Sequence, residues 1–298
     1  MREAFYQLST VGELRVFKKV SIFFEMIKFE HSLFALPFAY LGLFLASGGW
    51  PDAAVFTWVS AAMVSFRTSA MALNRLIDHE IDARNPRTRG RALPAGMMQR
   101  RFVAGAALVS VTLFIFCAYR LNPLCFQLSW IPVALAVLYP FCKRFTWASH
   151  FLLGFILGIA PYGAWLAAGR NFSWVPGFFM IGVTAWVAGF DVIYALQDRE
   201  FDTASGLYSL PVFLGEDASL LVTRILHGLA LSAWGIAGLL AGLGGFYFAG
   251  LIFAGLFLIR ENWLVRTFGL ARVEQAFFNM NAVVSISLFA FVIIDLSM

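Results

Sequence analysis

Oxygen-bearing side chains recur at helical intervals in two short stretches. Asn74, Asp78 and Asp82 lie in "NRLIDHEID" (74–82), and Asp191, Asp198 and Asp202 lie in "DVIYALQDREFD" (191–202). Spacings of four and seven put residues along one face of a helix, so each set is expected to present a row of oxygens. At 1.5 Å per residue the first row spans about 12 Å. One metal ion cannot touch both ends, but a metal-bound ligand with several oxygens can. An all-oxygen set suits a hard cation such as Mg²⁺, which takes one or two carboxylates and shares the rest of its shell with water and substrate phosphates. Without such a partner the clustered carboxylates would repel one another and protonate. The chemistry that fits is therefore a diphosphate bridged to the two rows through Mg²⁺. The plainer alternative is a solvated helix end, with Asp78 and Asp82 pairing with Arg75 and Arg84.

Cationic and aromatic groups extend the set. Arg67 lies seven residues before Asn74, on the same face and about two turns deeper. "YPFCKR" (139–144) supplies Lys143 and Arg144, cations suited to a departing diphosphate oxygen, and Tyr139, whose ring face can stabilise a nearby cation. By spacing, Arg75, His79, Glu80 and Glu200 fall away from the shared faces and are expected to be bystanders.

The elements that must hold these groups are apolar. The chain has 298 residues, 60% hydrophobic and 13% charged, where a soluble protein carries about 25% charged residues. That excludes an ordinary soluble enzyme. A spanning helix needs about 20 mostly apolar residues, and nine segments qualify: 32–49, 54–74, 102–119, 122–141, 149–168, 174–196, 219–241, 244–260 and 276–297. The expected fold is an all-α integral membrane bundle of nine transmembrane helices. Of 22 Lys and Arg residues, 20 fall on one side of this arrangement, and only Arg120 and Arg170 on the other. The positive-inside rule then places the N-terminus in the cytoplasm, the C-terminus outside and the acidic rows on the cytoplasmic side. The net charge of +5 is thus a topology signal and calls for no nucleic-acid partner. Residues 13–30 mix basic and aromatic positions and are expected to form an interfacial helix. The division is a segment 1–30 followed by a transmembrane domain 31–298. No short apolar region with a cleavage site marks a signal peptide. Cys117, Cys125 and Cys142 lie in apolar segments and are expected to be buried small residues.

Charged groups near lipid are costly and mark function. Arg67, the two acidic stretches, "RNPRTRGRALPAG" (84–96) and "YPFCKR" together resemble the UbiA superfamily of intramembrane prenyltransferases, over roughly residues 25–295. The resemblance implies Mg²⁺-dependent transfer of a polyprenyl group from a polyprenyl diphosphate to an acceptor. It makes Asn74, Asp78 and Asp82 the first metal–diphosphate motif and Asp191, Asp198 and Asp202 the second. Arg67 and Lys143 would contact the diphosphate or an acidic acceptor, and Tyr139 would steady the allylic cation. "IKFEHSLFALPFAY" (27–40) is similar to the first helix of 4-hydroxybenzoate polyprenyltransferases. "YALQDREFD" with "GLYSLP" (206–211) resembles a bacterial subgroup of the futalosine route to menaquinone, whose acceptor would be a dihydroxynaphthoate. The implied setting is the bacterial inner membrane, in ubiquinone or menaquinone synthesis. Haem, chlorophyll, tocopherol-type or archaeal-lipid prenylation are alternatives within the superfamily, and a cation transporter is the alternative outside it.

Overall fold

The computed structural model describes residues 19–29, 32–269 and 273–298, all helix, turn and loop with no strand among them. The interfacial helix expected over 13–30 is described only from residue 19. Its helical part, α1, covers 19–26, and 13–18 and 30 lie outside the described residues. The elements that follow are α2 (Ser32–Ser47), α3 (Ala53–Ile77), α4 (His79–Arg84), α5 (Arg100–Leu121), α6 (Pro123–Leu128) and α7 (Trp130–Cys142). Next come α8 (Ser149–Ala167), α9 (Trp174–Leu196), α10 (Arg199–Ala204), α11 (Leu210–Leu214), α12 (Glu216–Ala241), α13 (Gly245–Phe268) and α14 (Val273–Ser297).

Each of the nine expected apolar segments is helical. Among the described residues, seven stretches are long and apolar enough to cross a membrane: α5, α6 with α7, α8, α9, α12, α13 and Met280–Ser297 of α14. In α2 the apolar helix Leu36–Ser47 is shorter, and the 25-residue α3 carries Arg67, Asn74 and Arg75. The expected 122–141 helix is two pieces, because α6 stops at Ser129 before α7 begins. The expected 244–260 helix runs on to Phe268.

Local sequence explains the ends. Asp52 accepts hydrogen bonds from the Ala54 and Val55 amides at the start of α3, and Asn122 takes the Cys125 amide while Pro123 fills the first position of α6. Gly242 closes α12 in the left-handed region.

Helix α9 lies against α8 and α12, α3 packs on α5 and α7, and α14 packs on α13 and α2. The centre of the bundle is aromatic. Phe38, Trp186, Trp234 and Tyr247 are fully buried, with Phe38 stacked on Trp234 at 5.5 Å. Outward-facing residues are apolar too. Leu108 and Val109 of α5 and Ile252 and Ile259 of α13 are about two-thirds exposed, as lipid-facing positions of a membrane bundle are.

Close approach of α8 to its neighbours requires glycine. A Cβ on Gly154 would collide with the Thr184 carbonyl of α9, and one on Gly42 would collide with the Pro161 carbonyl of α8. Both obstacles are backbone, so neither can turn aside. Gly154→Ala is expected to destabilise the protein by about 1–3 kcal/mol through overpacking. Thermal unfolding in detergent measures this, and an unchanged midpoint would show that α8 and α9 can separate freely.

Candidate active site

Asp78 and Asp198 occupy equivalent positions in two matching turns. Helix α3 ends at Ile77, Asp78 stands at the break with φ −88° and ψ 3°, and the six-residue α4 follows. Helix α9 ends at Leu196, Asp198 stands at φ −100° and ψ 0°, and the six-residue α10 follows. Four residues on, Asp82 and Asp202 are both buried inside the short helices. The Asp82 amide donates to the Asp78 carbonyl at 2.8 Å and the Asp202 amide to the Asp198 carbonyl at 2.7 Å. The unbroken helical face expected from spacing is thus interrupted at the first aspartate of each pair, while the four-residue hydrogen bond is kept across the break. Asn74 donates from Nδ2 to Asp78 Oδ2 at 3.1 Å.

Both turns open on one cavity of about 1280 Å³, lined by Asn74, Asp78, Asp82, Asp191, Asp198 and Asp202. Arg67, Tyr139 and Lys143 line it as well. The charge on Lys143 acts on Asp78, Asp198 and Asp202, so this lysine serves both turns. Arg67 Nη2 donates to the Lys28 carbonyl at 3.2 Å, which brings the segment after α1 to the cavity. Arg144 does not line the cavity. Its guanidinium donates to the Ile77 carbonyl at 3.0 Å and lies over the Phe141 ring, so it closes the end of α3, and from there its charge acts on Asp78.

Asp191 has a partner of its own. Its Oδ2 is 2.7 Å from His150 Nδ1, while His150 Nε2 accepts the Leu210 amide at 3.2 Å. The second bond leaves Nε2 without a proton, so Nδ1–H is the donor to Asp191. Through one buried imidazole, α8, α9 and the start of α11 are fastened together.

The loop after α4 lies over both turns. Arg87 makes a bidentate pair with Asp198, from Nε to Oδ1 at 2.8 Å and from Nη2 to Oδ2. Asn85 Nδ2 donates to the same carboxylate at 2.9 Å. Arg91 Nη1 donates to Asp82 Oδ1 at 2.7 Å. Arg75, expected to be a bystander, is buried and lines the cavity; its Nη1 lies 3.9 Å from Asp82 Oδ2 and its Nε donates to the Met26 carbonyl at 3.3 Å. Glu80 and Glu200 are exposed, as expected of bystanders. Spacing along one helix missed Asn85, Arg87, Arg91 and His150, because each reaches its carboxylate from another element or across a turn. The arginine density of "RNPRTRGR" was the available signal.

Among the described residues no three His, Cys, Asp or Glu side chains converge into a ready-made metal cage. Asp78 Oδ1, Asp82 Oδ2 and Asp202 Oδ2 are nevertheless buried without a hydrogen-bond partner. Orphaned carboxylate oxygens on residues that line a cavity fit a hard cation that completes its shell with substrate oxygens, as Mg²⁺ does. Burial pushes the Asp78 carboxyl up to about 6, against the pull of Lys143. Burial also raises Asp202. At Asp198 burial acts the same way, but Arg87 and Asn85 outweigh it and hold that carboxyl below its ordinary value.

Away from the turns the cavity is apolar. Helix α8 lines it from His150 to Ala167, about 26 Å of helix. Ile131 and Phe155, both partly exposed, line it as well.

The UbiA prenyltransferase family model matches residues 35–283. The chain belongs to this family. This UbiA protein is 30% identical over 236 residues to a 4-hydroxybenzoate octaprenyltransferase of Francisella tularensis subsp. mediasiatica, covering 79% of this chain and 82% of that one. It is 30% identical over 240 residues to the 4-hydroxybenzoate octaprenyltransferase of Alkalilimnicola ehrlichii, covering 80% and 82%. The apo structure of a UbiA homolog from Aeropyrum pernix K1 superposes with a TM-score of 0.81 at 32% identity, covering 89% of this chain and 98% of that one. A UbiA homolog from Archaeoglobus fulgidus bound to GPP and Mg²⁺ shares the fold, with a TM-score of 0.70 at 16% identity over 93% and 100% of the two chains. The protein is therefore a multi-pass membrane enzyme of the UbiA prenyltransferase family.

The Asp78 environment has a consequence for stability. The folded, metal-free protein takes a proton at Asp78 below about pH 6, whereas an unfolded aspartate titrates near about 3.9. Between those values the folded state holds the extra proton, so the group costs stability above pH 6 and ceases to as the pH falls toward about 4. Asp78→Asn is expected to raise the thermal midpoint of metal-free protein at about pH 7.5 and to lose that advantage near about pH 4.5. Equal differences at both pH values would refute the assignment.

Proposed function

We propose that this enzyme transfers a polyprenyl group from a polyprenyl diphosphate to an aromatic acid, 4-hydroxybenzoate or a dihydroxynaphthoate, with Mg²⁺. One observation carries the reading: two matching Asp-x-x-x-Asp turns face the polar mouth of a cavity whose long remainder is apolar. The diphosphate sits at the turns and the prenyl tail runs along α8, a division of one cavity that matches an amphiphilic donor and not a hydrated ion in transit. The curated relatives named above, 4-hydroxybenzoate octaprenyltransferases by name, support an aromatic acid as acceptor. The chain crosses a bacterial inner membrane nine times, with its N-terminus and both turns on the cytoplasmic side, where soluble acceptors and Mg²⁺ are supplied.

The residues divide the work. Asn74, Asp78, Asp82, Asp198 and Asp202 would hold Mg²⁺, with Asp191 beside them on its histidine. Mg²⁺ bound there supplies Lewis-acid neutralisation of the diphosphate leaving group. Lys143 meets the negative charge that grows on the departing oxygen as the C1–O bond breaks. The Tyr139 ring faces the allylic cation and stabilises it. The apolar wall keeps water from quenching that cation to an alcohol. A ring carbon ortho to the acceptor's phenolic hydroxyl attacks C1, and the ring proton then leaves. Arg67 pairs with the acceptor carboxylate, for which its planar guanidinium is shaped.

Asp78→Ala and Asp198→Ala are each expected to lower Mg²⁺-dependent transfer by about 100-fold or more, the equivalent of about 3 kcal/mol of transition-state stabilisation. The assay supplies membranes with polyprenyl diphosphate, Mg²⁺ and a panel of aromatic acids, with products identified by mass spectrometry. Near-normal transfer by both variants would remove the turns from the reaction. Arg67→Lys is expected to raise the KM for the acceptor about tenfold while leaving the donor KM near its original value. A change confined to the donor KM would move Arg67 to the diphosphate.

A further inference from the structure

The loop after α4 puts a guanidinium on each acidic turn: Arg87 on Asp198 and Arg91 on Asp82. In both pairs the carboxylate is the buried partner, 8% and 7% exposed, and the arginine the accessible one, 33% and 31% exposed. The arginine can therefore leave while the carboxylate stays. Arg87 is bidentate and Asn85 adds a third bond, so the oxygens of Asp198 are already engaged. A cation arriving at Asp198 competes with Arg87. The carboxylate oxygens without a hydrogen-bond partner among the described residues, Asp78 Oδ1, Asp82 Oδ2 and Asp202 Oδ2, are buried, those of Asp82 and Asp202 within side chains at least nine-tenths buried.

Charge balance decides what happens next. Lys28, Arg67, Arg75, Arg87, Arg91 and Lys143 line the cavity against Asp78, Asp82, Asp191, Asp198 and Asp202. The two sets nearly cancel. A metal ion binding alone would displace guanidinium groups into a space already crowded with cations. A diphosphate binding alone would face five carboxylates. Arriving together they exchange partners, because a guanidinium released from a carboxylate can pair in the same forked geometry with phosphate oxygens.

We propose that Arg87 and Arg91 are diphosphate-binding residues, held on Asp198 and Asp82 until the donor arrives with its cation. This rests on the reading of the cavity as a site for a prenyl diphosphate. The hand-over makes cation and diphosphate binding mutually dependent, and by linkage the dependence is equal in both directions. The Arg87–Asp198 pair also ties the loop after α4 to the second turn in the metal-free protein.

The test uses detergent-solubilised full-length protein, with Mn²⁺ as the carboxylate-seeking probe cation. Mn²⁺ binding alone is followed by the EPR signal of the free ion. Binding of radiolabelled inorganic pyrophosphate is measured by equilibrium dialysis at saturating Mn²⁺. In Arg87→Gln and Arg91→Gln, Mn²⁺ alone is expected to bind at least about fivefold tighter, while pyrophosphate binds at least about fivefold weaker, the low end of ordinary coupling between sites. Opposite signs set this apart from a structural role, which would weaken both. Arg87→Lys, which keeps the charge without the fork, is expected to fall between wild type and Arg87→Gln. Arg89→Gln, on the same loop and exposed, is expected to match wild type, and thermal unfolding checks that each variant is folded. Unchanged or weakened Mn²⁺ binding in folded Arg87→Gln and Arg91→Gln, with wild type retaining pyrophosphate, would overturn the hand-over alone. Failure of wild type to retain pyrophosphate at saturating Mn²⁺ would overturn the diphosphate reading and the hand-over with it.

Discussion

Five carboxylates and six cations share one cavity inside an apolar bundle, and neither set is stable there without the other. An isolated charge in such a place costs several kcal/mol after all relaxation. The arrangement of the mouth follows from that cost. Arg87 and Asn85 are drawn over Asp198, Arg91 and Arg75 are gathered around Asp82, and Lys143 sits where its field reaches both turns. The loop after α4 is tied down by these charges and by Ala92, Leu93 and Met98, which are buried in an apolar cluster with α1, α3 and α5.

The apolar helices answer to a different constraint. Every backbone amide within lipid must be satisfied inside its own segment, so the two long helices that carry the acids stop where lipid gives way to a polar mouth. Breaking α3 at Asp78 and α9 at Asp198 redirects each chain into a short helix and turns the second aspartate of each pair inward. The aromatic centre around Trp186 and Trp234 and the glycine contacts of α8 hold the walls at fixed distances. Rigid walls matter for a cavity that must exclude water along one length and admit ions at one end.

Several features were legible along the chain because they are local. Apolar runs of membrane-spanning length located the helices, and the i, i+4 spacing located Asp78 with Asp82 and Asp198 with Asp202. Other features were not local. Arg75 reads as a bystander by spacing, yet α1 and α4 fold back around it. His150 begins a helix with nothing acidic near it in sequence, and it meets Asp191 across 41 positions. Arg87 meets Asp198 across 111. Arg144 has the same composition signal as Lys143 beside it, and only the direction of the chain after α7 sends the two apart.

By itself the sequence determined the helical membrane architecture, the two acidic motifs and the likeness to intramembrane prenyltransferases, because each depends on composition or on spacing within one element. The tertiary structure decided which cation holds which carboxylate, which buried oxygens lack a hydrogen-bond partner, that Asp191 pairs with His150, and where the cavity runs. Those properties come from groups on different helices meeting at distances of about 3 Å, which helix packing sets and one-dimensional spacing cannot encode.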